Sequence, residues 1–143
     1  RVVFAGFTAT LADDIAEPIT STGTTLTLTA ANLCGFLLDS QLTSAAVWHM
    51  PYNGGTTTGK TTSTDVDSTQ SAVAAESDIL RVEIDPNGTA RWYINGKLEQ
   101  TVANAVSTSV LQGAIVGCWG TTTTAADADL DYMLVEASRD WTR

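Results

Sequence analysis

Charge is what this sequence has least of, and what it has is lopsided. Only 16% of its 143 residues are charged, and 7 basic residues face 16 acidic ones, for a net charge of −9. Phosphate binding needs a basic patch and none is visible, so nucleic acid is excluded as a partner. The same balance argues against an anionic membrane surface, and no run approaches the ~20 apolar residues of a membrane span. Histidine is almost missing, His49 being the only one. Cysteine is limited to Cys34 and Cys118. A zinc site would need these three to converge with a carboxylate, and no spacing supports that. Each cysteine lies in an apolar run, Leu33–Leu38 and Ile115–Trp119, so both are expected to be buried free thiols. A chain this long can build a core without a disulfide. No amphipathic helical stripe of convincing length appears either.

What remains is apolar and β-branched. Hydrophobic residues make up 43% of the chain, enough for one compact domain over 1–143 with a real core. Thr, Ser, Ala and Gly stand where charges usually stand, and Thr suits a half-exposed pleated position. The chain opens on Arg1, directly in a strand-like segment, and is expected to continue upstream of that residue. Period and punctuation predict strands at 1–7, 25–30, 33–39, 45–50, 57–62, 79–85, 89–95, 97–104, 112–120 and 127–137. Segments 33–39 and 112–120 are apolar on both faces, which marks central strands. Residues 51–78 read as an extended loop region with one short strand.

The block 79–104 reads as a three-stranded antiparallel meander. Leu80, Val82 and Ile84 alternate with Arg81, Glu83 and Asp85. Asp85-Pro86-Asn87-Gly88 is a turn, and Asn95-Gly96 is the strongest short hairpin signal. Ala90, Trp92 and Ile94 should face inward, continued by Leu98 and Val102. Arg91 should pair with Glu83 or Asp85 across the strands. About ten strands at this spacing predict an all-β, two-sheet antiparallel β-sandwich or jelly roll.

Several motifs bear on chemistry. Gly54–Thr61 satisfies the phosphate-loop pattern GxxxxGK[ST], but that chemistry needs a helix to follow, and Thr62–Thr69 is a poor helix former. His49 lacks a nucleophile elbow or similar partner signature, so it reads as a strand residue rather than a catalytic base. Asp127, Asp129 and Asp131 share one strand face, about 7 Å apart, which makes a calcium cage hard to build and favours a solvated acidic face. Ala128, Leu130, Tyr132 and Leu134 then point inward. No pair among the acids is singled out for glycoside hydrolysis. Trp92 and Trp119 read as core, while Trp48 and Trp141 are less defined. Asn87-Gly88-Thr89 fits a glycosylation sequon that its turn context already explains.

The run Leu80-Arg81-Val82-Glu83-Ile84-Asp85, followed by Gly88-Thr89-Ala90-Arg91-Trp92-Tyr93-Ile94-Asn95-Gly96-Lys97-Leu98, resembles the hairpin of laminin-G-like, concanavalin A-like jelly rolls. With Phe4–Thr8, Gly35–Asp39 and Asp129–Val135, the chain is similar to such domains in tailed-bacteriophage virion proteins. The resemblance implies a non-enzymatic structural protein of the virion, a head-decoration or cement protein that stabilises the capsid through subunit contacts. Its partners would be capsid or other virion proteins, with a homo-oligomer expected, a trimer among the options. Assembly would take place in the bacterial host cytoplasm, where free cysteines persist. The alternative is a carbohydrate-binding, receptor-recognition domain of a tail fibre or of a secreted glycan-binding protein. No catalytic, cofactor-binding or metal residue is assigned, and no cofactor is expected.

Overall fold

The computed structural model describes residues 1–10, 16–120 and 126–137. These residues form an all-β, sandwich-like fold of antiparallel sheets. The largest sheet is built on β1 (Val2–Thr8), flanked by β4 (Leu33–Asp39) and β11 (Gly113–Trp119); β5 (Val47–His49), β6 (Tyr52–Asn53) and β7 (Asp67–Ser71) extend it past β4. A second sheet is the meander β8 (Leu80–Ile84), β9 (Ala90–Ile94) and β10 (Lys97–Val102). A hairpin of β2 (Ile19–Thr22) and β3 (Thr25–Leu28) makes a third, small sheet. Among the described residues no helix is long and apolar enough to cross a membrane.

Register decides which side chains share a face, because residues directly opposite in antiparallel strands point the same way. Ala5 lies opposite Phe36, Val3 opposite Leu38 and Phe7 opposite Cys34. The meander covers this face at Phe36 and Cys34. Phe36 meets Trp48 edge-on with ring centroids 6.2 Å apart, and Trp48 Nε1 donates to Asp78 at 2.8 Å, just ahead of β8. Tyr52, opposite Cys34, stacks at a tilt on Trp92, whose Nε1 donates to the Gly35 carbonyl at 2.8 Å. The other face carries Val2, Phe4, Leu37 and Asp39, and there the hairpin β2–β3 is tied on by Ser21, whose hydroxyl donates to Asp39. Strand β4 is therefore covered on both sides, which is why six of its seven residues are buried and why its sequence is apolar throughout. Trp92, Phe4, Phe36, Ile19, Leu26 and Leu37 are among the fully buried side chains, each contributing about 1.5–3 kcal/mol through area removed from water.

The meander follows its sequence. Asn95 (φ 53°) and Gly96 (φ 83°) both take left-handed backbone, as a primed two-residue hairpin turn requires. Arg91 faces Glu83 in register but forks onto Asp85, Nη1 and Nη2 lying 2.9 and 2.8 Å from its two oxygens. The Tyr93 hydroxyl takes Glu83 instead, at 3.0 Å. Leu98 departs from expectation. A bulge between Leu98 and Gln100 shifts the parity, so Leu98 joins Tyr93 on the outer face, half exposed, while Val102 returns inward opposite Ala90.

Other expectations are corrected. Residues 57–62 form no strand, only an isolated bridge from Thr62 to Thr25. The predicted strand 127–137 is not one: these residues carry no secondary structure and are exposed. Strands β2, β6 and β7 were not expected. Cys34 is buried and free as read, but Cys118 is free and exposed, because β11 is an edge strand among the described residues.

Candidate functional site

The residues with catalytic potential are mostly committed to the core. His49 pairs with Leu37 and Asp67 across β4–β5–β7 and has no exposed side-chain surface. Its Nε2 stands 2.8 Å from Asp67 Oδ1. Burial lowers its pKa below the ordinary value; the charge of Asp67 and the backbone of Leu37 and Val47 act the other way and are outweighed. A neutral, enclosed imidazole cannot reach a substrate. Cys34 is equally shut in, and burial pushes its thiol pKa far up, away from the thiolate that reactivity needs. The stretch Gly54–Thr61 opens onto a three-residue 3-10 turn, Ser63–Asp65, not onto a helix, so it lacks the phosphate cradle. Asp127, Asp129 and Asp131 are exposed, and among the described residues no group of three potential metal ligands converges. Trp48 and Trp92 are structural, each bonded through its indole N–H; Trp141 lies outside the described residues.

Two surface features remain. The first is a polar cleft of about 450 Å³ between the hairpin β2–β3 and the end of the large sheet, lined by Glu17, Thr20, Ser21, Asp39, Gln41 and Gly120 among others. Asp39, 1% exposed, is its floor. One carboxylate oxygen accepts from the Ser21 hydroxyl and the other from the Gln41 amide at 2.8 Å. Glu17 has a raised pKa, through burial first and the negative charge of Asp39 second, partly offset by the N-terminal ammonium. Trp119 is on this face, opposite Val2 in register, and its ring folds back over Gly117, where a Cβ would meet it at 2.5 Å. No pattern in the sequence signals the cleft: Asp39 ends an apolar strand, and its hydroxyl partner Ser21 stands 18 residues away.

The second feature is apolar. Leu130, Tyr132, Met133, Leu134 and Val135 are each more than half exposed, on a segment with strand composition. The meander stops at β8, whose second edge meets no described strand. At the sandwich's other side β7 and β10 are tied together by side chains. There Thr69 of β7 gives its backbone N–H (2.8 Å) and its hydroxyl (2.6 Å) to Glu99 of β10. Lys97 Nζ reaches the Thr69 hydroxyl at 2.7 Å and Glu99 at 2.9 Å.

Comparison with known protein families, curated proteins and solved structures gives no match to this chain.

Proposed function

We propose that this chain is a non-enzymatic assembly protein, a jelly-roll subunit of the head-decoration or cement kind, working on the virion by gripping neighbouring subunits. The observation that carries the reading is the exposed segment Leu130–Val135, together with a β8 edge that meets no described strand. The histidine and Cys34 are enclosed, while segment 130–135 exposes apolar side chains. Such a surface binds protein by burial and strand addition. The charge-poor, Thr- and Ser-rich exterior supports the same role, since its desolvation against a neighbour costs less than that of ionised groups. The test is saturable binding of the purified protein to purified capsids, alongside a glycan array. Capsid binding without a glycan signal supports the reading; a specific glycan with no capsid binding defeats it.

One observation favours a second reading, carbohydrate binding. The cleft at Asp39 presents hydroxyls, a carboxylate and an amide, a mixture of polar groups that suits a hydroxyl-rich ring.

A further inference from the structure

The two sheets do not match in width, and the mismatch is a seat. The face of the large sheet under the meander continues past β4 onto β1 and β11. There Val3, Ala5 and Phe7 stand beside Cys118, Val116 and Ala114. All are apolar, yet the five other than Cys118 are only partly buried and Cys118 is exposed. Above them the meander has already ended at β8. The inner row of β8, namely Leu80, Val82 and Ile84, is fixed inward by its register with Ile94, Trp92 and Ala90, and it too is left partly open. One more strand beside β8 would cover both half-exposed rows. Neighbouring strands in a sheet lie about 4.8 Å apart, so a single strand beside β8 falls over β1 and β11.

The same chain carries a strand with no seat. In 127–137 the residues Ala128, Leu130, Tyr132 and Leu134 alternate with polar or charged neighbours as far as Asp131, the pattern of a strand with one apolar face. In its own subunit the Cys118 thiol donates to the Ala126 carbonyl at 3.3 Å, just ahead of this segment, and from Asp127 to Ala137 the residues are exposed.

We propose that segment 127–137 of one copy adds to β8 of a second copy as a fourth strand, closing the open side of that copy's sandwich. This deepens, and rests on, the assembly reading above by naming the partner as another copy of this chain. Charge fits the arrangement. With Leu130, Tyr132 and Leu134 turned inward, Asp129 and Asp131 lie on the outer face, where Arg81 of β8 also points, stacked over the Tyr93 ring at 4.0 Å and 3.3 Å from Glu83 on the same face. Oppositely charged neighbours across strands favour that pairing. Given by each copy to the other, the exchange makes a closed, self-complementary contact.

The experiment is light scattering over a range of concentrations, with amide hydrogen exchange read at 128–136, on the natural protein and on the double variant Leu130→Asp/Leu134→Asp. Both side chains are exposed in the single subunit, so the variant keeps its fold, which circular dichroism checks. The expected result is a mass that is a multiple of the 15.0 kDa monomer, with 128–136 exchanging at least ~10-fold slower in the oligomer than after dilution, and a monomeric variant. A natural protein that stays monomeric overturns the proposal, whether 128–136 is protected by its own subunit or not. So does an oligomer that survives in the double variant. Capsid binding is measured on the same samples: a monomer that binds capsids sinks the exchange and spares the assembly reading, and an exchanged oligomer that ignores capsids does the reverse.

Discussion

Replacing Glu99 by Gln should weaken the fastening between the two sheets, by an amount that depends on pH. The carboxylate is almost fully covered, with 1% of its side chain exposed. Burial alone would raise its pKa. Hydrogen bonds from the Thr69 hydroxyl, Lys97 and the Thr69 amide, with the Lys97 charge, overcome that and bring it from 4.5 to about 2. A depression of that size corresponds to about 3 kcal/mol of preference for the charged form. Lys97 is 59% exposed, so solvent screens its share, and about 1–2 kcal/mol is the contribution expected in practice. Glu99 has a folded pKa below its unfolded one. Its stabilisation is therefore complete above about 4.5 and is lost as the pH falls toward 2. In urea unfolding, with slopes of ~1–3 kcal/mol per M, the Gln variant should lose roughly 0.5–1 M in midpoint near neutral pH. The gap between the two proteins should close as the pH is lowered through that window. A gap that stays constant with pH, or a Gln variant as stable as the natural protein at neutral pH, would refute the assignment of charge to this contact.

Further predictions concern the core and the thiols. Trp92→Phe removes the indole donor and leaves the Gly35 carbonyl unpaired in the interior, which should cost about 2–4 kcal/mol by calorimetry or denaturant titration. Gly35→Ala places a Cβ 2.6 Å from the Ala5 carbonyl oxygen and 2.8 Å from the Phe4 ring; β1 and β4 must part, and soluble yield and thermal midpoint should fall sharply, whereas Gly96→Ala, with open space around it, should cost only the strain of its positive φ. His49 is held below its ordinary pKa of 6.5 by burial, so the unfolded chain takes up its proton first; stability should decline as the pH drops below 6.5, and a His49→Gln variant should show a shallower decline there. In the native state a thiol reagent should label Cys118 and spare Cys34, with Cys34 reacting only on unfolding; equal rates at both would contradict the edge position of β11.

How much of this was legible in the sequence depended on how local each signal was. The meander could be read because its determinants sit within a few residues of one another: alternation in Leu80–Ile84, an Asn-Gly turn, inward Ala90, Trp92 and Ile94. Strand β4 could be read because burial on both faces leaves an unbroken apolar run. By contrast β7, with the sequence Asp-Ser-Thr-Gln-Ser, has nothing apolar to signal it. It is a strand because β5 offers a backbone edge and because His49 and Glu99 hold Asp67 and Thr69. The bulge at Leu98 was equally hidden, since one extra residue changes no composition. Free Cys118 was misread for a related reason: the apolar run Ile115–Trp119 records that one face is covered, and only tertiary structure shows that the other is not. The cleft at Asp39 joins residues some twenty apart in sequence, a distance over which no pattern speaks.

Segment 127–137 poses the sharper physical question, because its sequence specifies a strand and in the single subunit it pairs with no described strand. Soluble proteins usually guard open edges by making them short, twisted by bulges, or lined with inward charge. The outer edge of the large sheet at β7 follows that rule, being polar and carrying a register irregularity against β5. The meander does not follow it at β8. There the register with β9 is regular, the inward residues are Leu80, Val82 and Ile84, and the charges of Arg81 and Glu83 point out rather than across the edge. An edge left regular and apolar is a template for pairing. It sits beside a half-covered apolar face, in a chain that also presents six exposed residues of strand sequence, Leu130–Val135. Leaving all three in water costs free energy three times over, and one added strand removes all three costs together. Selection against aggregation would have blunted such an edge unless its occupation is part of what the protein does, which is why the open side of the sandwich, rather than its enclosed histidine or its polar cleft, is the feature around which the function is best sought.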